Sequence, residues 1–492
     1  MEKKLTLLLQ AGKIREVQSH LEKLEPKKIR REELLGMANI ARRSGFHRLA
    51  FRLLNPIVRP KNKLSHAKAT PAELVEYGII LFRLGVIEES RRVLQLPEVA
   101  SCPESKLYLA FNYFGEWEYT KSKELLLDYT KNPSISPYDK LIGLVNLGQA
   151  YVGLDDPGSA IAVVKDVIPQ AKTRNYNLIL ANALQTYAEA LIDQRKFIEA
   201  KKLLSEIENV IGSSHYRYDV YLQKNLAVID LRTTGNTSSI DEVRVTAQAK
   251  RLHELVRECD LIRAVNTKDL DLITKVYFGS PYPAYRERLV RHWGDELELN
   301  DNYLWDLNSS VSNSSSLVFD VRDGVELSSG KSIKKGTSIH RLLKVFANNM
   351  YKTFKMEALF SQVFPNEPLL LVTSGHRVYD TVNRARNWMV ENKFDFYIDE
   401  AHGEYSLKSN SSYQLKIPKN FDPSSDVRGA HINEMLRLLG GGYFTVNEVM
   451  QVLQVSVATA NRYLKEATEA NLIERTGSGR ATKYFSKQKR AV

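Results

Sequence analysis

Residues 147–164 read LGQAYVGLDDPGSAIAVV, and residues 187–204 read YAEALIDQRKFIEAKKLL. Both follow one skeleton. Leu147-Gly148, Tyr151, Asp155, Ala160 and Val164 in the first stretch fall on Tyr187-Ala188, Leu191, Arg195, Ala200 and Leu204 in the second. The skeleton recurs on either side. Met37-Ala38, Ala41, Gly45, Ala50 and Leu54 give one copy; Gly78, Leu81, Gly85, Ser90 and Leu94 give a looser one. A degraded copy lies near residues 107–126 around Gly115, and Leu226-Ala227 with Gly235 starts a weaker one. Helix crossing explains the pattern. A small residue on the first helix (Ala38, Gly148, Ala188) lets the second approach, and a small residue there (Ala50, Ala160, Ala200) returns the contact. Large residues at helical spacing fill the remaining space. Each hairpin leaves an apolar face uncovered, so hairpins must stack into a solenoid.

Residues 1–265 therefore resemble the tetratricopeptide repeat family, through its Leu-Gly, Tyr, Ala, Leu/Phe skeleton. Spacing nearer 40 than 34 residues departs from that family, as does the loss of its early Trp and late Pro. A HEAT-like α-solenoid is the alternative. Either resemblance implies a concave surface that takes a protein or peptide. Tyr108, Phe111, Tyr113, Phe114 and Trp117 read as packing between helices rather than a ligand cage. The cluster Lys27-Lys28 and Arg30-Arg31 reads as a solvated helix start. The opening MEKKLTLLLQAGKI has too short an apolar run for a signal peptide and reads as a first repeat helix. Residues 266–308 read as a helical cap and linker, with helices over 268–278 and 284–293.

Residues 308–316, NSSVSNSSS, read as a flexible linker. Beyond them the period falls from 3.6 to 2, over residues 317–321 and 324–327, as in strands. Helical periodicity resumes at Ile339, at Met356 and at Val378, and strands follow near 396–398 and 405–407. Strands, three helices and a hairpin over 317–417 resemble the winged helix of OmpR/PhoB-type response regulators. Val378, Val382, Arg384 and Arg386 match that class's Val-x-x-x-Ile-x-Arg-x-Arg. Tyr397-Ile398, Gly403, Tyr405 and Leu407 match its wing, with Glu404 in place of a second Gly. Val378, Val382, Ala385 and Met389 are expected to pin the third helix to the core. His376, Arg377, Tyr379, Asp380, Asn383 and Arg384 are left as groove-facing candidates. Arg386 and His402 are the phosphate candidates. Ser329-Gly330-Lys331-Ser332 imitates the end of a P-loop, but Val325 stands where its first Gly belongs.

Residues 418–426 read as a second linker. Over 427–487 the pattern is helix, turn, helix, and a hairpin with a glycine-rich tip, resembling a DeoR-like winged helix-turn-helix. The residues that carry this are Val455-Ser456, Thr459, Arg462 and Leu464, then Leu472-Ile473, Arg475, Gly477, Gly479, Arg480 and Tyr484. Val455, Ala460, Leu464 and Ala467 are expected in the core. Ser456, Ala458, Thr459, Asn461 and Arg462 are expected to face the groove, and Arg475, Arg480 and Lys483 to meet phosphates.

The whole chain is a mainly α protein, an α-solenoid followed by two α+β winged helix-turn-helix domains. Its 492 residues carry 70 Lys and Arg against 58 Asp and Glu, a pI near 9.3, and two cysteines. That count excludes a disulfide framework and a cysteine-rich zinc cluster. A mild basic excess suits an anionic partner without naming one. No receiver domain, catalytic constellation, metal motif or cofactor motif is legible, so neither an enzyme nor a bound cofactor is expected. No apolar run is long enough to span a bilayer, and a cytoplasmic protein is expected. The function expected is a sequence-specific double-stranded-DNA-binding transcriptional regulator whose repeat domain takes a protein or peptide. RNA polymerase and a homodimer are open as further partners. The alternative is a protein-interaction adaptor whose winged helices dock other proteins.

Overall fold

The computed structural model describes residues 1–10, 13–60, 68–211, 216–294, 297–308, 317–365, 367–419, 432, 435–436, 438–439, 442–453, 455–469, 472–477, 479 and 482–486. Helices stack in antiparallel pairs along the first half of the chain. The pairs are α1 (Glu2–Gln10) with α2 (Ile14–Glu22), α3 (Leu34–Arg43) with α4 (His47–Val58), and α5 (Pro71–Arg83) with α6 (Ile87–Leu94). Next come α7 (Pro103–Phe114) with α8 (Tyr119–Lys131), and α9 (Pro137–Gly153) with α10 (Pro157–Thr173). Then follow α11 (Asn177–Asp193) with α12 (Phe197–Ile211), and α13 (Tyr216–Thr234) with α14 (Ser238–Ala249). Helices α15 (His253–Thr267), α16 (Leu270–Phe278) and α17 (Pro283–Trp293) complete the solenoid.

The repeated skeleton has two physical parts. The first is the hairpin turn. Gly45, Gly85, Asp155, Arg195 and Gly235 all take left-handed backbone conformations, with φ of 86, 81, 60, 59 and 77°. The amide after the turn then reaches back to the skeleton residue three positions after the small one. Phe46 N donates to Ala41 O at 2.8 Å, Val86 to Leu81 at 3.0 Å, Asp156 to Tyr151 at 2.9 Å and Lys196 to Leu191 at 2.9 Å. This is a helix C-terminal stop that satisfies an otherwise orphaned carbonyl. In the degraded copy the left-handed residue is Trp117, at φ 64°, and not Gly115. Glu118 N closes that turn on Tyr113 O at 3.0 Å.

The second part is the crossing point. Ala38 with Ala50, Ala110 with Ser122, Gly148 with Ala160, and Ala188 with Ala200 sit twelve positions apart, and the alanines and Ser122 are fully buried. A Cβ on Gly148 would lie 2.8 Å from Val164 Cγ1. Where the second small residue is serine, its buried hydroxyl donates across the crossing, Ser90 Oγ to Gly78 O at 2.7 Å and Ser122 Oγ to Ala110 O at 3.0 Å. Neither serine hydroxyl is thereby left unpaired.

The first winged helix is built on two sheets. One has the order β1-β7-β2-β3, from β1 (Asn302–Asp306), β2 (Leu317–Asp320), β3 (Val325–Glu326) and β7 (Tyr413–Pro418). The other has the order β4-β6-β5, from β4 (Phe354–Lys355), β5 (Phe396–Ala401) and β6 (Glu404–Ser409). Helices α18 (Ser338–Asn348), α19 (Met356–Val363) and α20 (Leu371–Glu391) pack against both, and the sheets meet through Phe319, Phe396 and Tyr413. The strand β1 corrects the linker reading of residues 266–308. Trp305 pairs with Leu415, and Leu415 also pairs with Phe319, so β1 and β2 flank one strand. The expected linker therefore joins two strands of one sheet, and most of it, residues 309–316, lies outside the described residues. At the P-loop look-alike, the Glu326 carboxylate accepts from Ser328 N at 2.9 Å and Ser329 N at 2.6 Å, filling the place an anion would need. No helix among the described residues is long and apolar enough to cross a membrane.

This domain is fastened to both ends of the solenoid. Toward the N-terminus, Arg48 pairs with the buried Glu357 of α19, and Leu369 N donates to Glu89 Oε2 at 2.9 Å. Toward the C-terminus, Tyr351 donates to Asp260 Oδ2 at 2.9 Å and Arg257 to Asn349 Oδ1 at 2.7 Å. The second winged helix has its own core of Ile432, Met435, Leu436, Phe444, Val449, Ala460, Tyr463, Leu464, Ala467, Ile473 and Tyr484.

Two outcomes follow. Gly148→Val overpacks the α9–α10 crossing and lowers stability by about 1–3 kcal/mol in denaturant unfolding. His340 is buried and neutral: Gly336 N donates to its Nδ1 at 3.0 Å, which leaves Nε2–H to donate to Val321 O at 3.0 Å. Burial pushes its pKa down from 6.5 to about 4. The unfolded chain takes up this proton first, so stability falls as pH drops from about 6.5 toward 4. Thermal unfolding across that window shows the fall in the natural chain and a flatter profile in His340→Asn.

Candidate nucleic-acid interface

In the second winged helix, β8 (Tyr443–Phe444) leads into α21 (Val446–Leu453) and α22 (Val457–Glu469). A hairpin of β9 (Ile473–Thr476) and β10 (Lys483–Ser486) follows, and the sheet order is β8-β10-β9. Thr445 and Glu448 form a capping box at α21: Thr445 N donates to Glu448 Oε2 at 2.7 Å, and Glu448 N to Thr445 Oγ1 at 3.4 Å. Ser456 caps α22 by accepting from Thr459 N at 3.3 Å. These caps fix where α22 starts, and its apolar stripe fixes how it rolls. Ala460, Tyr463, Leu464 and Ala467 are buried below. Ala458, Asn461, Arg462 and Lys465 form the exposed stripe above.

Ser456 is also exposed, and Thr459 is half-buried. Val455 is half-buried against the core rather than within it. Arg475 and Lys483 are exposed on the hairpin strands; Arg480 lies outside the described residues. Among the described residues, no carboxylate is ion-paired with Arg462, Arg475 or Lys483. The sequence reading missed Val457, which is 51% exposed, and Lys465. Lys465 was detectable, because it lies three and seven positions beyond Arg462 and Ala458 on the same face. Tyr443 and Phe485 also form an exposed ring pair with centroids 5.2 Å apart.

In the first winged helix, α20 is pinned by Val378, Val382, Ala385 and Met389, each no more than 2% exposed. His376, Tyr379, Asp380 and Arg384 are exposed, and Asn383 is half-buried. Arg384 donates to Ser338 Oγ at 2.9 Å. Arg377 is not a free groove contact. Its guanidinium pairs with Glu367 and lies 4.0 Å from the Phe364 ring centre. Arg386 is not a free phosphate contact either. It donates to Ile398 O at 3.1 Å and lies 3.8 Å from Glu400, so it braces α20 against β5. His402 stands exposed at the wing tip with φ 55°.

The wing itself is docked on the solenoid. Glu404, where the resembled class has Gly, accepts from Arg251 Nη2 at 2.6 Å and from the Thr353 hydroxyl. Arg251 also reaches Ala401 O at 3.4 Å. Thus the residue that breaks the motif is the one that ties the wing down. The charge balance separates the two modules. Residues 317–417 hold 14 Lys and Arg against 11 Asp and Glu, whereas residues 427–492 hold 10 against 5. Among the described residues no group of three or more His, Cys, Asp and Glu is placed to hold a metal ion.

A family model described as the DeoR-like helix-turn-helix domain matches residues 428–483. No curated protein sequence matches the chain. Solved structures similar over the helical region include a candidate kinesin light chain from Podosopora anserina with nearly identical TPR-like repeats. It is 18% identical, covers 38% of this chain and 96% of its own, and has a TM-score of 0.28. Another is the C-terminal part of a TPR repeat-containing protein from Cytophaga hutchinsonii, 13% identical, covering 55% of this chain and 96% of its own, with a TM-score of 0.30. Likenesses at this level add nothing to the architecture read from the helices themselves.

Glu404→Gly should release the wing. Amide exchange over residues 396–409 then rises about ten-fold, with residues 473–476 unchanged. Unaltered exchange in the first hairpin would show that Glu404 does not hold it. The C-terminal segment, residues 428–483, is a DeoR-like helix-turn-helix domain.

Proposed function

We propose that this chain is a sequence-specific double-stranded-DNA-binding transcriptional regulator, with a TPR-like domain that docks a protein or peptide. The observation that carries the reading is α22. Its underside is locked by Ala460, Leu464 and Ala467, and Asn461 and Arg462 stand exposed on its outer side. A major groove admits one helix, Arg reads guanine and Asn reads adenine through paired hydrogen bonds. Arg475 and Lys483 beside it suit phosphates, which set position without specifying sequence.

The first winged helix plays a second role. Its order of strands, three helices and hairpin supports an OmpR/PhoB-type module, and α20 offers His376, Tyr379 and Arg384 to a groove. Asp380 on the same helix and the tied wing weaken it as an independent reader. An adaptor reading is favoured for this module by one observation: it is bonded to α4 and α6 on one side and to α15 on the other. We assign it the role of seating the solenoid, with α20 as an auxiliary DNA contact.

Selection of duplexes from a random library by the full chain, followed by anisotropy titration, tests this. The proposal expects an enriched sequence whose affinity falls steeply with salt. Arg462→Ala weakens that duplex by about 1–3 kcal/mol and relaxes one position. Arg475→Ala weakens all duplexes alike. Failure to enrich any sequence, with Arg462→Ala silent, would refute the proposal.

A further inference from the structure

The inner face of the solenoid already has an occupant. Helix α17 lies across it, and the chain from α7 to α15 grips it. Tyr285 meets the Trp117 ring at 4.5 Å between centroids. His292 bonds Asp155 Oδ1 at 2.8 Å, with Arg291 at 3.5 Å and Arg288 at 3.7 Å from the same carboxylate. Between α17 and the inner helices a cavity of about 270 Å³ remains, lined by Gln149, Glu189, Lys224, Asn225, Glu258 and Arg288.

Two features show what chemistry the groove selects. Its own walls are acidic: Asp155, Glu189, Asp193 and Glu258 outnumber Lys224 and Arg232, which are already paired with Glu189, Glu258 and Asp193. Of the helix that fills it, PAYRERLVRHW, the residues that meet the groove are Arg288, Arg291, His292 and the Tyr285 ring. The fit is also incomplete. Arg288 Nε and the Tyr285 hydroxyl are enclosed with no hydrogen-bond partner among the described residues, which costs the docked state binding strength. A ligand that satisfied the groove better would displace α17.

Displacement would be felt elsewhere. Tyr285 is one wall of the cage around Arg257, which holds Asn349 of the first winged helix. Arg286 donates to Lys419 O at 3.0 Å, at the start of the segment that leads to the second winged helix. Building on the protein-docking reading above, we infer that the groove takes a basic, aromatic-bearing helical segment of a partner protein, and that α17 holds its place until then.

A labelled peptide of residues 283–293 tests this against the full chain. The Arg291→Ala/His292→Ala chain, with its latch weakened and its groove walls intact, binds the peptide at least ten-fold tighter than the natural chain. Adding Asp155→Lys to that variant lowers binding ten-fold or more. A peptide with Arg288, Arg291 and His292 replaced by Glu does not bind. Circular dichroism establishes that each variant is folded. Equal binding by natural and latch-weakened chains would overturn the inference. Binding indifferent to peptide charge would also overturn it, while leaving a groove that docks protein. No binding to any folded variant would remove the inference and that reading of the groove together.

Discussion

Arg257 is the joint on which the assembly of this protein turns. It is fully buried, yet it belongs to no single unit. Its guanidinium lies 5.4, 5.6 and 5.5 Å from the ring centres of Tyr282, Tyr285 and Tyr351. It donates to Asn349 and lies 3.2 Å from Glu254. Those partners come from α15, the approach to α17, α17 itself and the first winged helix. A buried cation is costly unless its surroundings return the lost hydration. Three aromatic faces, the Glu254 carboxylate and a charge-assisted hydrogen bond to Asn349 return part of it, and only when all units are in place. Its Nε and Nη1 have no hydrogen-bond partner among the described residues. The solenoid, its terminal helix and the first winged helix are therefore coupled through one side chain.

From that joint the division of labour follows. The first winged helix is held by ion pairs at Glu357 and Glu404 and by the Tyr351–Asp260 bond. Several of its cations are already spent on neighbours, Arg377 on Glu367 and Arg386 on the wing strand. The second winged helix leaves Arg462, Arg475 and Lys483 exposed, with no carboxylate paired to them among the described residues, and relies on a core of its own. One module is tied into the structure, and the other stands on its own core with its cations exposed.

Much of this was legible in the residues, and the boundary of legibility is physical. Hairpins could be read because Ala38, Gly148, Ala188 and their partners report contacts only twelve positions away. The turn at Asp155 could be read for the same reason. The degraded copy misled because Gly115 is a helix-ending glycine by type, whereas the backbone places Trp117 in the left-handed region. Strand β1 escaped because its partner, Tyr413 to Pro418, lies more than a hundred positions on, and nothing local encodes that pairing. The same distance hid the tie of Glu404 to Arg251 and the seating of α17 against Trp117. On α22, short-range caps and a clear apolar stripe made both the core face and the outer face readable.

Amide hydrogen exchange of the full chain, with and without a selected duplex, tests the central claim most directly. Slowed exchange confined to residues 457–465 and the second hairpin, with smaller effects at the start of α20 and none along the inner solenoid helices, is the expected footprint. Protection along α9 to α15 with residues 457–465 unchanged would contradict it.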